Sequence, residues 1–298
     1  MELTWLNKLR IAAVAALGIF AIGVLAWPLA APADPLSPVR ASGISPSGTI
    51  ALLLVAFGLG FAGYFVAWPH GREIGILTVP FGLMVWAGRA GPMRVLMQAR
   101  NQPYEREALA LSLRFEAVYW LLLVAAGFAG VLLAQYLRPP PKPPVDQPTR
   151  SYGNINTYLT GLLALAATVL VAHFSVGVLV QDVSMSRNIT PTQPPIGQII
   201  FGVTAAFAVA AFLVKKLTNL SYLGPIIGSV FITGFAQAIY GNAQSIRQFA
   251  ETRPATFFPH SALTILPIQF VALGTLGSII GYWLAVRYDW WRKHESNP

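Results

Sequence analysis

The sequence predicts an all-α fold: a polytopic transmembrane helical bundle of eight spans, six or seven if one segment only dips, arranged as a 4+4 internal repeat. Three observations carry this. Hydrophobic residues make up 55% of the 298-residue chain and charged residues only 10%, where a soluble domain averages roughly 25% charged. Apolar runs long enough to cross about 30 Å of hydrocarbon recur along its length. The two halves flanking a proline-rich stretch also share one layout.

The apolar segments are 11–31, 48–68, 74–88, 117–137, 157–180, 197–214, 220–240 and 263–286. Most are rich in Gly and Ala, which lets membrane helices approach closely. The first follows Lys8 and Arg10, and Ala31-Pro32-Ala33 has the small-residue pattern of a signal cleavage site. Its apolar run continues through Trp27, longer than a usual signal core, so a retained helix is expected and a cleaved signal is the alternative.

The third segment is the weakest. Ile74–Gly88 carries Pro80, and a helix of that length rises only about 22 Å. It reads as a tilted span with polar ends, or as a re-entrant hairpin.

The stretch "RPPPKPPVDQPTR" holds six prolines in thirteen residues, so it is neither a regular helix nor a paired strand. It divides the chain into a first transmembrane half (1–137), a linker (138–156) and a second half (157–298). Each half has a span, a polar loop of 16 residues (32–47 and 181–196) and a second span. A charged connection, a proline-containing third span, an amphipathic segment and a fourth span follow. Pro46-Ser47-Gly48 and Pro195-Ile196-Gly197 enter the second spans at a common offset of 149 residues. Pro80 and Pro225 mark corresponding third spans as candidate helix breaks. Met93, Leu96 and Met97 find a counterpart in Ile246, Phe249 and Ala250. The stretch therefore reads as a stiff spacer joining two copies of one unit.

Orientation follows less directly. Eight spans place eleven Lys and Arg on the N-terminal side and nine on the other, and six spans place twelve against eight. Neither count discriminates. Arg89, Arg94, Arg100, Arg106 and Arg114 are interspersed with Glu105, Glu107 and Glu116, as in a solvated helix lying on the membrane surface. That pattern, and the spanning length of the seventh segment, favour eight spans with both termini cytoplasmic. In "YDWWRKHE" the aromatic residues suit the headgroup layer, with Arg292 and Lys293 in water beyond. A lysine-poor composition rich in Ala, Arg, Gly and Pro suggests a bacterial cytoplasmic membrane.

The net charge of +9 is spread along the flanks of the spans, and no basic stripe interleaved with aromatics occurs. This excludes a nucleic-acid partner and leaves the lipid bilayer. The absence of cysteine excludes disulfides and thiolate chemistry. Phosphate-loop, dinucleotide, zinc-protease and serine-hydrolase motifs are lacking, and no cofactor is expected.

Ionisable or amide side chains inside spans are the candidates for function. His173 is the clearest: a proton relay, a ligand contact, or a neutral imidazole bonded to a neighbouring helix. Gln237 and Gln269 would line a polar cavity or bond between helices. Glu73, in "WPHGREIG", is placed to cap the third segment, and His70 and His260 are a conceivable surface metal pair that nothing in the sequence brings together. Gly224/Gly228 and Gly277/Gly281 form GxxxG pairs, which signal helix crossings within the bundle or a face for a second copy or a membrane partner subunit.

Three readings of activity follow. The first is a non-catalytic subunit or scaffold of a larger membrane assembly. The second is a small transporter for a weakly polar solute, its site framed by Pro80 and Pro225. The third is a lipid-directed enzyme using Arg89, Arg94 and Arg100.

Overall fold

A computed structural model describes residues 4–34, 36–100, 102–141, 154–181, 193–252, 258 and 260–295. Every regular element among them is helical, and seven helices are long and apolar enough to cross a membrane. Most of the proline-rich linker (142–153) and of the second polar loop (182–192) lies outside the described residues.

The first span begins earlier than its apolar run. Helix α1 (Trp5–Gly18) is capped by Thr4, whose Oγ1 accepts from the Asn7 amide at 3.4 Å. Arg10 donates to Asn7 Oδ1 at 2.9 Å, so the cation enters the helix with a polar partner one turn away. A π-helical segment (Ile19–Leu25) and the short α2 (Trp27–Ala30) complete the crossing. Helix α3 (Pro46–Val66) starts where Ser45 accepts from the Gly48 amide at 3.1 Å, with Pro46 as first helical residue, where its missing N–H costs nothing.

The expected third span, 74–88, is not one continuous helix. It divides into α4 (Gly71–Gly75) and α5 (Thr78–Arg89). Pro80 supplies the physical reason. A continuous helix needs the residue-80 N–H to bond the Ile76 carbonyl, and proline lacks that N–H while its ring crowds the carbonyl. The chain therefore restarts at Thr78, leaving Pro80 in a first turn. Pro225 takes the same third position in α11 (Leu223–Tyr240). The two succeeding amides match: Phe81 N donates to Leu77 O and Ile226 N to Tyr222 O, each at 3.1 Å.

Helices α6 (Met93–Gln98) and α7 (Pro103–Arg114) form the amphipathic connection to α8 (Glu116–Leu137), with a Gln102/Glu105 capping box opening α7. Glu116 does not belong to a solvated helix, as its charged neighbours suggested. It is 5% exposed and accepts from the Ala41 amide at 2.8 Å, with Arg40 Nε 3.7 Å from its other oxygen. Arg40 also donates to Ser112 Oγ at 2.8 Å. The first polar loop is thereby fastened to the α7–α8 junction.

The second half comprises α9 (Asn154–Leu179), α10 (Ile196–Thr218), α11, α12 (Ala243–Thr252) and α13 (Pro267–Glu295). Helix α10 ends at Asn219, whose left-handed φ of 56° sets its N–H on the Lys215 carbonyl at 3.0 Å.

Two crossings dominate the packing. In the first half a Cβ on Gly60 would strike the Gly127 carbonyl, and one on Gly130 the Phe57 carbonyl, so α3 and α8 touch backbone to backbone. In the second half Gly277 and Gly281 meet the Thr204 and Ala208 carbonyls, joining α10 to α13 in the same way. Helix α5 packs on α13, and α11 on α8.

The bundle has two distinct ends. At one, the end of α3 meets the end of α8: Tyr64 OH donates to the Arg138 carbonyl at 2.5 Å, and the Arg138 guanidinium lies 4.4 Å from the Trp68 ring centre. Val14, Ala67, Ile74, Tyr222 and Ile279 form a core there. We call this the N-terminal end. At the other, the loop end, Arg89 lies 4.3 Å from the Trp27 ring centre and a Cβ on Gly91 would strike the Leu36 carbonyl. Trp27, Trp86 and Trp120 stack edge to face there at 6.2 and 6.4 Å, with Trp86 and Trp120 fully buried.

Candidate functional site

The densest grouping of chemically versatile side chains lies near the loop end of the second half. Helix α9 brings His173, the last residue of α11 is Tyr240, and the turn before a 3-10 segment (Ser261–Thr264) supplies His260. The three rings stack. His260 lies 4.6 Å from His173 and 4.5 Å from Tyr240, with planes within 9° and 1° of parallel. Phe235, about one turn before Tyr240, packs edge-on against His173 at 5.5 Å.

Hydrogen bonds fix the stack. His260 Nδ1 accepts from the Ala262 amide at 3.1 Å, which places the proton of the neutral ring on Nε2. Ser261 Oγ donates to the Val176 carbonyl at 3.4 Å, tying this turn to α9. The Tyr240 hydroxyl and His173 Nε2 are 3.3 Å apart, while His173 Nδ1 is buried with no partner among the described residues. Burial first, and then the neighbouring His173, hold the His260 imidazole below its ordinary pKa.

The arrangement favours proton exchange over ligation. A phenol and an imidazole in contact can share a proton, and two stacked imidazoles resist carrying charge together. Stacked parallel rings direct their in-plane lone pairs sideways, not onto a common point between them. Among the described residues no group of three or more His, Asp or Glu is placed to hold a metal ion.

The other candidates are distributed elsewhere. Gln237 is buried one turn before Gly241, whose added Cβ would approach Gln237 Oε1. Gln269 bridges the halves: its Nε2 donates to the Ala87 carbonyl at 3.2 Å and its Oε1 accepts from the Leu266 amide at 2.9 Å. His70 lies at the N-terminal end, lining a cleft of about 500 Å³ with Arg72, Glu73 and Gln135, so it has no part in a site with His260. Glu73 lies in the first turn of α4, where the N-cap is His70, whose side chain makes no capping bond among the described residues. Gly228 approaches Thr168 on α9, whereas a Cβ on Gly224 would meet nothing within 4 Å. Arg89 is engaged with Trp27 and, at 3.5 Å, with the Gly23 carbonyl.

Sequence reasoning singled out His173 and His260 separately and omitted Tyr240. The available signal was weak: an aromatic residue closing a span that also carries Gln237. No protein-family model matches the chain, and no curated protein or solved structure is significantly similar to it.

Proposed function

We propose that this multi-pass membrane protein is a non-catalytic subunit or scaffold of a larger assembly. It would be built from two four-segment units of one orientation, with both termini cytoplasmic in a bacterial inner membrane. One observation carries the reading: most of the buried hydroxyls at mid-depth are committed to their own helices. Thr168, Ser229, Thr233 and Ser278 donate their hydroxyls to carbonyls of their own helices at 2.6–3.0 Å, and all four are buried. Val79, Leu83 and Ile22 form a core around α5, and a Cβ on Gly82 would strike Ile22. A solute site framed by Pro80 and Pro225 needs polar groups free to meet its cargo at that depth. These four hydroxyls have already committed their protons, and Thr275 Oγ1 is the one buried hydroxyl among the described residues without a partner.

The eighth crossing is supported by where segment 70–91 begins and ends. Gly71 and Gly75 lie against Tyr64 at the N-terminal end, whereas Arg89 and Gly91 lie against Trp27 and Leu36 at the loop end. Residues 71–89 rise about 28 Å at helical pitch, close to the hydrocarbon thickness. The duplicated unit is supported by the matching second-on-fourth crossings and by the matched positions of Pro80 and Pro225.

Helix α9 offers the contact surface. Leu159, Leu162, Leu163, Leu170 and Phe174 are all more than half exposed along it. A photoreactive amino acid at Leu163 or Phe174, irradiated in native membranes, should give a discrete protein adduct of constant mass. Lipid adducts alone, together with a monomeric mass after gentle extraction, would overturn the proposal.

A further inference from the structure

Going beyond the scaffold reading, the geometry points to a binding site for one phospholipid with a primary-ammonium headgroup, of the phosphatidylethanolamine class, at the N-terminal end of the bundle, against the C-terminal half of α13. A cleft of about 240 Å³ lies there, lined by Glu73 together with Ile280, Trp283, Leu284 and Arg287 of α13. Its chemistry changes with depth. Arg287 stands about one turn beyond Trp283, and Ile280 about one turn deeper, at ~5.4 Å per turn. The charged groups thus lie at the rim and the apolar wall runs inward, where Ile280 and Leu284 are exposed on the outer surface of the bundle. Tyr288, Trp290 and Trp291 follow on the same helix and suit the headgroup layer.

The two rim charges have opposite sign, and neither enters an ion pair among the described residues. The Trp283 indole N–H is buried with no hydrogen-bond partner among them. Such a group is costly unless an acceptor completes it. A zwitterionic headgroup satisfies all three. Its phosphate takes Arg287 and the indole N–H, and its ammonium donates to the Glu73 carboxylate. Choline carries methyl groups in place of those N–H donors and so offers Glu73 a cation that cannot hydrogen-bond, and a phosphoglycerol headgroup brings no cation at all. The volume is below the roughly 300–1,000 Å³ of sites that enclose a whole small molecule. It suits a headgroup whose chains continue along Ile280 and Leu284.

Native mass spectrometry of the detergent-solubilised full chain tests this, with equimolar palmitoyl-oleoyl phosphatidylethanolamine, phosphatidylcholine and phosphatidylglycerol added as probes. The expected result is one retained phosphatidylethanolamine, favoured at least about tenfold, as charge-assisted hydrogen bonding implies. Glu73→Gln should erase the preference over phosphatidylcholine, and Glu73→Lys should transfer it to phosphatidylglycerol. Arg287→Gln should weaken all three. Because Glu73 and Arg287 are exposed, these variants should keep the parent's melting temperature, and Leu284→Trp, which crowds the cleft, gives an independent block. Equal retention of the three lipids by the parent chain, or an ethanolamine preference surviving Glu73→Lys, would overturn the assignment.

Discussion

Tyr240 and His260 stack with ring centroids 4.5 Å apart and planes within 1° of parallel, joining the end of α11 to the turn that leads into α13. His260 stacks on His173 as well, so one imidazole fastens the turn to two helices. Aromatic pairs are worth about 0.5–1.5 kcal/mol each beyond burial, so His260→Ala should cost about 1–3 kcal/mol. His260→Phe keeps a ring but loses the acceptor for the Ala262 amide, and should recover part of that loss. Thermal unfolding in detergent would measure both. Equal destabilisation by the two variants would show that the stack contributes little.

The same ring predicts a pH dependence. Folding lowers the pKa of His260 from its ordinary 6.5, so the unfolded chain binds the proton more readily than the folded one. Its contribution to stability is complete above that ordinary value. It is lost progressively as pH falls through the window between 6.5 and the lowered folded value, and is constant below. The melting temperature of the parent chain should therefore drop across this window more steeply than that of His260→Phe. Parallel pH profiles for the two chains would refute the prediction.

The membrane character and most span positions were legible because hydropathy over about twenty residues integrates many side chains, and single exceptions average out. The third segment was harder, since its break depends on one missing N–H at Pro80 acting on Ile76. His173 was legible as a polar residue in an apolar run. Its partnership with His260, eighty-seven residues away in sequence, depends on tertiary packing that no local pattern encodes. Glu116 was misplaced for a related reason: its neighbours are charged, but Ala41 and Arg40 approach it from a distant loop.

The paired glycine motifs should respond very differently to added side chains. Gly277→Ala and Gly281→Ala each place a methyl against a backbone carbonyl of α10, and overpacking typically costs about 1–3 kcal/mol. Gly224→Ala adds a methyl where nothing lies within 4 Å and should be neutral or stabilising by up to about 1 kcal/mol, from helix propensity. Melting temperatures of the three single variants check this. A destabilising Gly224→Ala would show that its exposed face is an interface in the folded assembly.

Removing Glu116 should release the first polar loop. Breaking a buried ion pair by deleting one partner costs about 3–5 kcal/mol. The figure here should fall below that range, because the Arg40 side chain keeps 20% exposure and can rehydrate. Glu116→Ala also orphans the Ala41 amide, so it should cost more than Arg40→Ala. Limited trypsinolysis of the folded protein supplies a local readout, with cleavage after Arg40 faster in Glu116→Ala than in the parent. An unchanged cleavage rate would show that the loop is held by other contacts.

The crossing by segment 70–91 has a direct test, because the chain contains no cysteine and any introduced thiol is the only one. Arg72 and Arg94 are both exposed, one just inside α4 and the other in α6, beyond α5. If the segment crosses, Arg72→Cys and Arg94→Cys should be blocked by a membrane-impermeant maleimide from opposite sides of sealed, oriented vesicles. Labelling from one common side would make the segment re-entrant and the repeat inverted. Arg138→Cys, beside Trp68 at the N-terminal end, should label from the side of Arg72→Cys if the segment crosses and from the opposite side if it is re-entrant, because α8 crosses after it in both cases.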